Sequence, residues 1–181
     1  VNAGPVAPFG PTTVEGTEDV DQDFVAYMTG IDPGETYDPK ELEAAEKRLK
    51  ALEVFNSVTV RGADNLDANG AVPVEVNVSE RKFRYIGLGA TYSSTDGGGL
   101  EGYWGHRNLF GRAEKLRIEG SVSGLGSTSE YDDLTYHGAV LFEKPGVIGP
   151  ASTFTSRLSV DQENPDAYRS FSVTGAVGLK Y

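Results

Sequence analysis

The chain has no cysteine. Structural disulfides, thiolate metal sites and thiol nucleophiles are therefore excluded. Two histidines are too few for a histidine cluster. No apolar run approaches the ~18 residues that a membrane-crossing helix needs. The chain opens on Val1 with neither an initiator methionine nor a charged-then-apolar leader, so Val1 is expected to begin a processed or excised piece. Cations are also short: 16 Lys and Arg face 27 Asp and Glu, for a formal charge of −11. That sign argues against nucleic acid as a partner.

The shortage of cations is uneven. Residues 1–82 carry 16 acidic and 7 basic side chains, whereas residues 83–181 carry 11 and 9. The first part reads as a solvated acidic domain. The second is nearly neutral and rich in glycine and aromatics. A boundary is expected at Lys82–Phe83, giving domains 1–82 and 83–181.

In the first part, the prolines and glycines of Val1–Gly16 give an irregular lead into a short edge strand near Thr12–Glu15. Val20–Met28 reads as a short helix, with Asp21 as its cap and Phe24 and Met28 on one face. Asp38–Leu52 is the strongest helix signal. Asp38 caps it, Pro39 takes the first position, and Glu41 completes a capping-box-like pattern. Leu42, Ala45, Leu49 and Leu52 form its apolar stripe. Phe55–Arg61 and Val72–Glu80 read as strands, the latter with four valines on one parity. The order β-α-α-β-β describes a small α+β unit with helices on one face of a sheet.

From Phe83 onward only strands and turns are legible. Arg84, Ile86, Leu88, Ala90 and Tyr92 alternate with Tyr85, Gly87, Gly89, Thr91 and Ser93. Ser94–Gly99 is expected to be a loop. Similar alternation recurs in Leu100–His106, Lys115–Ser123, Leu134–Glu143, Ser152–Asp161 and Ser170–Tyr181. These are about six antiparallel strands, joined by short turns at one end and longer polar loops at the other. A soluble β-sandwich also alternates. Charge concentrated on one parity and aromatics near strand ends favour instead the wall of a transmembrane β-barrel.

Catalytic signals are weak. No serine has a telling His and Asp. The glycines Gly97–Gly99 precede no helix, so a phosphate cradle is not expected. Asp21, Asp23 and Asp32 lack EF-hand spacing. Glu130, Asp132 and Asp133 form an acidic loop, read as solvated or as a surface cation site. His106, beside Arg107, reads as an interfacial contact. No enzyme activity, cofactor or metal is expected.

The order of these parts resembles a known family. Phe9-Gly10 with Val14-Glu15-Gly16, then Leu49–Val60 (LKALEVFNSVTV) and Val72–Arg81 (VPVEVNVSER), resemble a POTRA domain of the BamA/TamA outer-membrane assembly superfamily. The continuation FRYIGLGATYSSTDGGGLEGYWGHRNLFGRAEKLRIEG is similar to that family's first barrel strands, closest to the TamA-like branch.

The resemblance implies a partial barrel in the bacterial outer membrane with its POTRA domain in the periplasm. It implies that the chain's first barrel strand meets the family's last strand at a weak seam. There Arg84, Tyr85, Ile86, Gly87, Leu88, Gly89, Ala90 and Thr91 would pair with an unfolded outer-membrane client. Gly87 and Gly89 are expected to weaken and bend that strand. Arg107, Asn108, Leu109, Phe110 and Gly111 (RNLFG) match a family turn motif, either a packed anchor or a transport element. Implied partners are client proteins, outer-membrane lipid, and a periplasmic or inner-membrane protein. Two open strand edges imply self-association of this piece. The alternatives are a passive pore or surface antigen, and the transport barrel of a fused exported enzyme such as a patatin-like lipase.

Overall fold

The computed structural model describes residues 7–94, 97–126, 134–163 and 170–181. The acidic loop containing Glu130, Asp132 and Asp133 lies outside the described residues.

Two sheets divide the chain. The first is three-stranded, in the order β1 (Phe9–Glu15), β3 (Val72–Glu80), β2 (Phe55–Gly62). β1 runs parallel to β3, and β2 runs antiparallel to it. Helices α1 (Gln22–Thr29) and α2 (Pro39–Ala51) intervene in sequence between β1 and β2. Asp21 caps α1 by accepting from the amides of Asp23 and Phe24 at 2.9 and 3.1 Å. Asp38 caps α2 through the Lys40 amide at 2.9 Å. The buried faces follow the sequence pattern: Phe24, Val25 and Met28 from α1, Leu42, Ala45 and Leu49 from α2, and Val74, Val76 and Val78 from β3.

β2 needs a correction of phase to join this core. Phe55 and Val58 lie on opposite parities, yet both are buried. A register shift between Phe55 and Ser57 leaves Asn56 without a partner on β3 and restores the alternation for Val58 and Val60. The extra residue is tied down by its side chain, whose Nδ2 donates to the Glu80 carbonyl at 3.1 Å.

The second sheet has six strands in sequence order: β4 (Arg84–Ser93), β5 (Gly97–His106), β6 (Lys115–Leu125), β7 (Thr135–Pro145), β8 (Thr153–Glu163) and β9 (Ser170–Lys180). All neighbours are antiparallel. The sheet is open, with β4 and β9 as its edges. Directly opposed residues share a face. Ile86, Trp104, Ile118, Val140 and Leu158 therefore form one continuous apolar row. Among the described residues no second layer covers that row: Ile86 is 73% exposed, Ile118 47% and Val140 41%. This is a lipid-facing wall rather than half of a sandwich.

One expected loop is partly strand. Gly97–Gly99 belong to β5, where Gly98 and Gly99 pair with Tyr92 and Thr91. Gly97 has a φ of 77°, which glycine adopts without strain and which turns the chain into the strand. A Cβ on Gly99 would lie 2.6 Å from the Thr91 hydroxyl, so its lack of a side chain accommodates the neighbour.

Candidate functional site

β4 is hydrogen-bonded to β5 alone, so among the described residues its other edge carries no strand. Ile86 and Leu88 project from it on the lipid face, at 73% and 86% exposure. On the opposite face the glycines leave no gap in the packing. They are receptacles. The Tyr103 ring lies over Gly87, where a Cβ would stand 2.3 Å from it. The Tyr85 ring lies over Gly105, where a Cβ would stand 2.2 Å away. Both glycines sit directly opposite the tyrosine they receive, so the β4–β5 pair interlocks reciprocally. Gly89 likewise receives the Glu101 side chain.

Each tyrosine is covered in turn by a guanidinium. Arg107 Cζ lies 3.9 Å from the Tyr85 ring centroid, and Arg117 Cζ lies 4.1 Å from that of Tyr103. Arg117 Nε donates to Glu119 Oε2 at 2.9 Å, and Arg157 reaches Glu119 Oε1 at 3.3 Å. A polar ladder thus crosses the inner face from β4 to β8. It ties β4, through β5, to the rest of the wall.

The foot of the wall is fixed to the N-terminal unit. Glu80, at the end of β3, accepts from the backbone amides of Glu18, Asp19 and Val20 at 2.8, 3.0 and 2.8 Å. That shapes the turn before α1. The Asp19 carbonyl then accepts from Asn108 Nδ2 at 3.1 Å. Asn108, 5% exposed, also accepts the Ala113 amide through Oδ1 at 3.0 Å. Glu114, 2% exposed, closes the same turn by accepting from the amides of Phe110 and Arg112 at 3.3 and 3.0 Å. The Asp21 amide donates to the Gly111 carbonyl at 2.8 Å. Ala113 is fully buried within the N-terminal core. Phe110 remains exposed.

Charge reinforces the joint at its margin. Arg112 lies 3.3 Å from Asp21, and Lys115 lies 2.9 Å from Glu53. The Phe24 amide, with Arg112 behind it, holds the Asp21 carboxyl below its usual range. The Lys115 ammonium does the same for Glu53. A second turn, after β7, also reaches α1. There the Tyr27 hydroxyl donates to the Gly146 carbonyl at 3.2 Å.

All residues expected in the seam strand thus lie in β4, and the RNLFG segment lies in the joint below it. Sequence reading missed Glu80, Glu114, Ala113 and Tyr103, whose roles depend on contacts between distant segments. Only the alternation of tyrosine and glycine in Tyr85–Gly89 and Tyr103–Gly105 hinted at the interlock. His106 packs against Phe83 and Trp104, with ring centroids 6.0 and 6.3 Å away. Among the described residues, no group of three or more His, Asp and Glu side chains is placed to hold a metal ion.

Comparison with known proteins gives this geometry a family setting. The family model "POTRA: Surface antigen variable number repeat" matches residues 7–81. The crystal structure of BamA from Haemophilus ducreyi lacking POTRA domains 1–3 superposes over 97% of the chain, with a TM-score of 0.73 and 14% identity. The chain has the BamA/TamA-like fold. Residues 7–81 are its POTRA domain, and the six strands are one flank of its barrel. CdiB from Acinetobacter baumannii matches over 96% of the chain, with a TM-score of 0.63 and 12% identity. The chain spans about a third of the length of each of these proteins, 33% and 34%. A search of the curated proteins found no match.

Proposed function

We propose that this chain is the seam-bearing part of an outer-membrane assembly factor, and that β4 pairs with an incoming strand of an unfolded client barrel. The reciprocal interlock that fixes β4, an outer strand of the sheet, on β5 carries this reading. Bare N–H and C=O groups cost several kcal/mol each in hydrocarbon, so this edge demands a partner strand. Main-chain hydrogen bonds supply that pairing without requiring one client sequence. The Tyr85 and Tyr103 interlocks keep β4 in register on β5 while the other edge exchanges partners.

On this reading the POTRA domain, residues 1–82, receives client or partner segments, and residues 83–181 form the wall. Both outer strands of its sheet are edges, but they differ in access. At β1 the Gly34–Tyr37 segment already occupies the first residues: the Phe9 amide donates to Glu35 at 2.7 Å, and the Gly34 amide donates to Phe9 at 2.8 Å. Thr12–Glu15 of β1 stays uncovered by that segment, and on β2 the Val60 amide donates to Glu46 Oε2 at 3.4 Å, so both strands remain candidate receiving edges.

The test is disulfide capture, for which residues 1–181 offer no competing cysteine. A single cysteine at Leu88 in the full-length protein is expected to form a disulfide with a cysteine placed in the last strand of a stalled client. Leu88→Pro, which lacks the amide and cannot complete the ladder, is expected to block client insertion while the POTRA domain stays folded. Normal insertion of clients by Leu88→Pro would overturn the proposal.

A further inference from the structure

The lipid face of the wall carries very little formal charge, and that charge is one-sided. Registers from β4 to β9 place Glu101, Glu119, Glu143, Asp161 and Glu163 on the inner face. Arg117, Arg157, Lys115 and Lys180 face the same way. On the lipid face, among the described strand residues, the charged side chains are Arg84 and Lys144. Both are cations, both are exposed, and both lie at the end of the wall that meets the POTRA domain. The far end of the same face offers Tyr92, Tyr136, Gln162 and Phe171, none of them charged.

Neither cation makes an ion pair among the described residues. An exposed cation left beside hydrocarbon would be costly, and it is stabilised where an anionic headgroup lies within reach. Arg84 has a second donor beside it. His106 sits directly opposite it on β5. His106 Nδ1 accepts the Asn108 amide at 3.2 Å. In the neutral ring this puts the proton on Nε2, which is left to donate elsewhere. Trp104 occupies the next position inward on the same face, at the depth where amphipathic rings favour an interface. Lys144 stands three strands away, roughly 14 Å along the rim at the usual strand spacing. Leu116 and Phe142 lie between, on the row that starts at Arg84 and His106.

The geometry points to two phospholipid headgroup sites on the periplasmic rim of the wall, one at Arg84 with His106 and one at Lys144. The ligand class is the phosphate of an anionic phospholipid in the leaflet next to the POTRA domain. Guanidinium and imidazole N–H groups match phosphate oxygens in a charge-assisted pair. The spacing fits two separate headgroups rather than one. The Arg84 site lies at the foot of the seam strand, so a bound headgroup would mark the depth at which its open edge enters the bilayer. This inference rests on the membrane-wall fold and not on client pairing.

The experiment is a lipid titration of the purified full-length protein in detergent, followed by native mass spectrometry. Phosphatidylglycerol is compared with phosphatidylcholine. Wild type is expected to retain phosphatidylglycerol preferentially. Arg84→Gln and Lys144→Gln are each expected to lower that preference about fivefold, and the double variant by roughly the product. Arg84→Lys is expected to keep most of it. Far-UV circular dichroism confirms that each variant is folded. An unchanged preference in the folded double variant would overturn the inference, as would equal loss of both lipids. Disulfide capture of a client at Leu88 in Lys144→Gln separates the two proposals. Capture with lost lipid preference supports the headgroup site, whereas lost capture with intact preference counts against the site and leaves client pairing to its own test.

Discussion

Asn108 Nδ2 donates to the Asp19 carbonyl at 3.1 Å, across 89 residues of sequence. With Asn108 Oδ1 accepting the Ala113 amide, one buried side chain ties the first turn of the wall to the POTRA domain. The Asp19 segment is itself shaped by the Glu80 carboxylate. Glu80 stands immediately before the link to β4, so chain connectivity and hydrogen bonding meet at one place. On the proposed function, a strand that exchanges partners needs such a fixed base.

Replacing Asn108 by alanine strands the buried Ala113 amide and removes the donor to the Asp19 carbonyl. The expected loss is about 1–3 kcal/mol of stability at the joint. Hydrogen exchange should show faster exchange at Ala113 and through residues 107–114, with the centre of β3 unchanged. Protection equal to wild type at Ala113 would count against Asn108 as the anchor.

Adding a methyl group at Gly87 or Gly105 pushes into a tyrosine ring. Gly87→Ala and Gly105→Ala are each expected to cost about 1–3 kcal/mol through overpacking. The matched variant Gly87→Ala with Tyr103→Ala should recover part of the loss, because the obstructing ring is gone. Register is read by disulfide formation between cysteines at the opposed pair Ile86 and Trp104. Weaker or shifted cross-linking in Gly87→Ala, restored in the double variant, is the expected result. Additive losses in the double variant would show that ring and glycine do not interlock.

Acid should loosen the joint. The Asp21 and Glu53 carboxyls are both held below their ordinary values in the folded protein. A group whose folded pKa is depressed contributes stability above its unfolded pKa, and that contribution is lost as pH falls through the folded value. The ordinary values are 3.8 for Asp21 and 4.5 for Glu53, so the loss belongs to the acid range below about pH 5. NMR titration from pH 7 downward should show the Asp23 and Phe24 amides lose their Asp21 hydrogen bonds late in the titration. Arg112→Gln should move that change to higher pH. A midpoint for Asp21 at or above its ordinary value would contradict the assigned contacts.

The helix caps, the valine face of β3 and the alternation of the wall strands could all be read in advance, because each depends on residues close in sequence. A capping carboxylate reaches its own first turn, and a strand's two faces follow from backbone pleating alone. The same local rules misplaced Gly97–Gly99. A glycine run signals a turn unless a partner strand needs the space, and Thr91 supplies that need from the other side of the hairpin. Gly87 and Gly89 leave no gap in the packing, since the Tyr103 ring fills the space at one and the Glu101 side chain the space at the other.

By itself, then, the sequence determined the two-part division, the strand faces and the outward direction of the apolar side chains. These follow from charge balance and from periods of 2 and 3.6 along one segment at a time. Tertiary structure alone decided which glycine receives which tyrosine, that Asn108 meets Asp19, and the register in which β4 lies on β5. Those relations join residues far apart in the chain. They are set by register and packing, which no local pattern encodes.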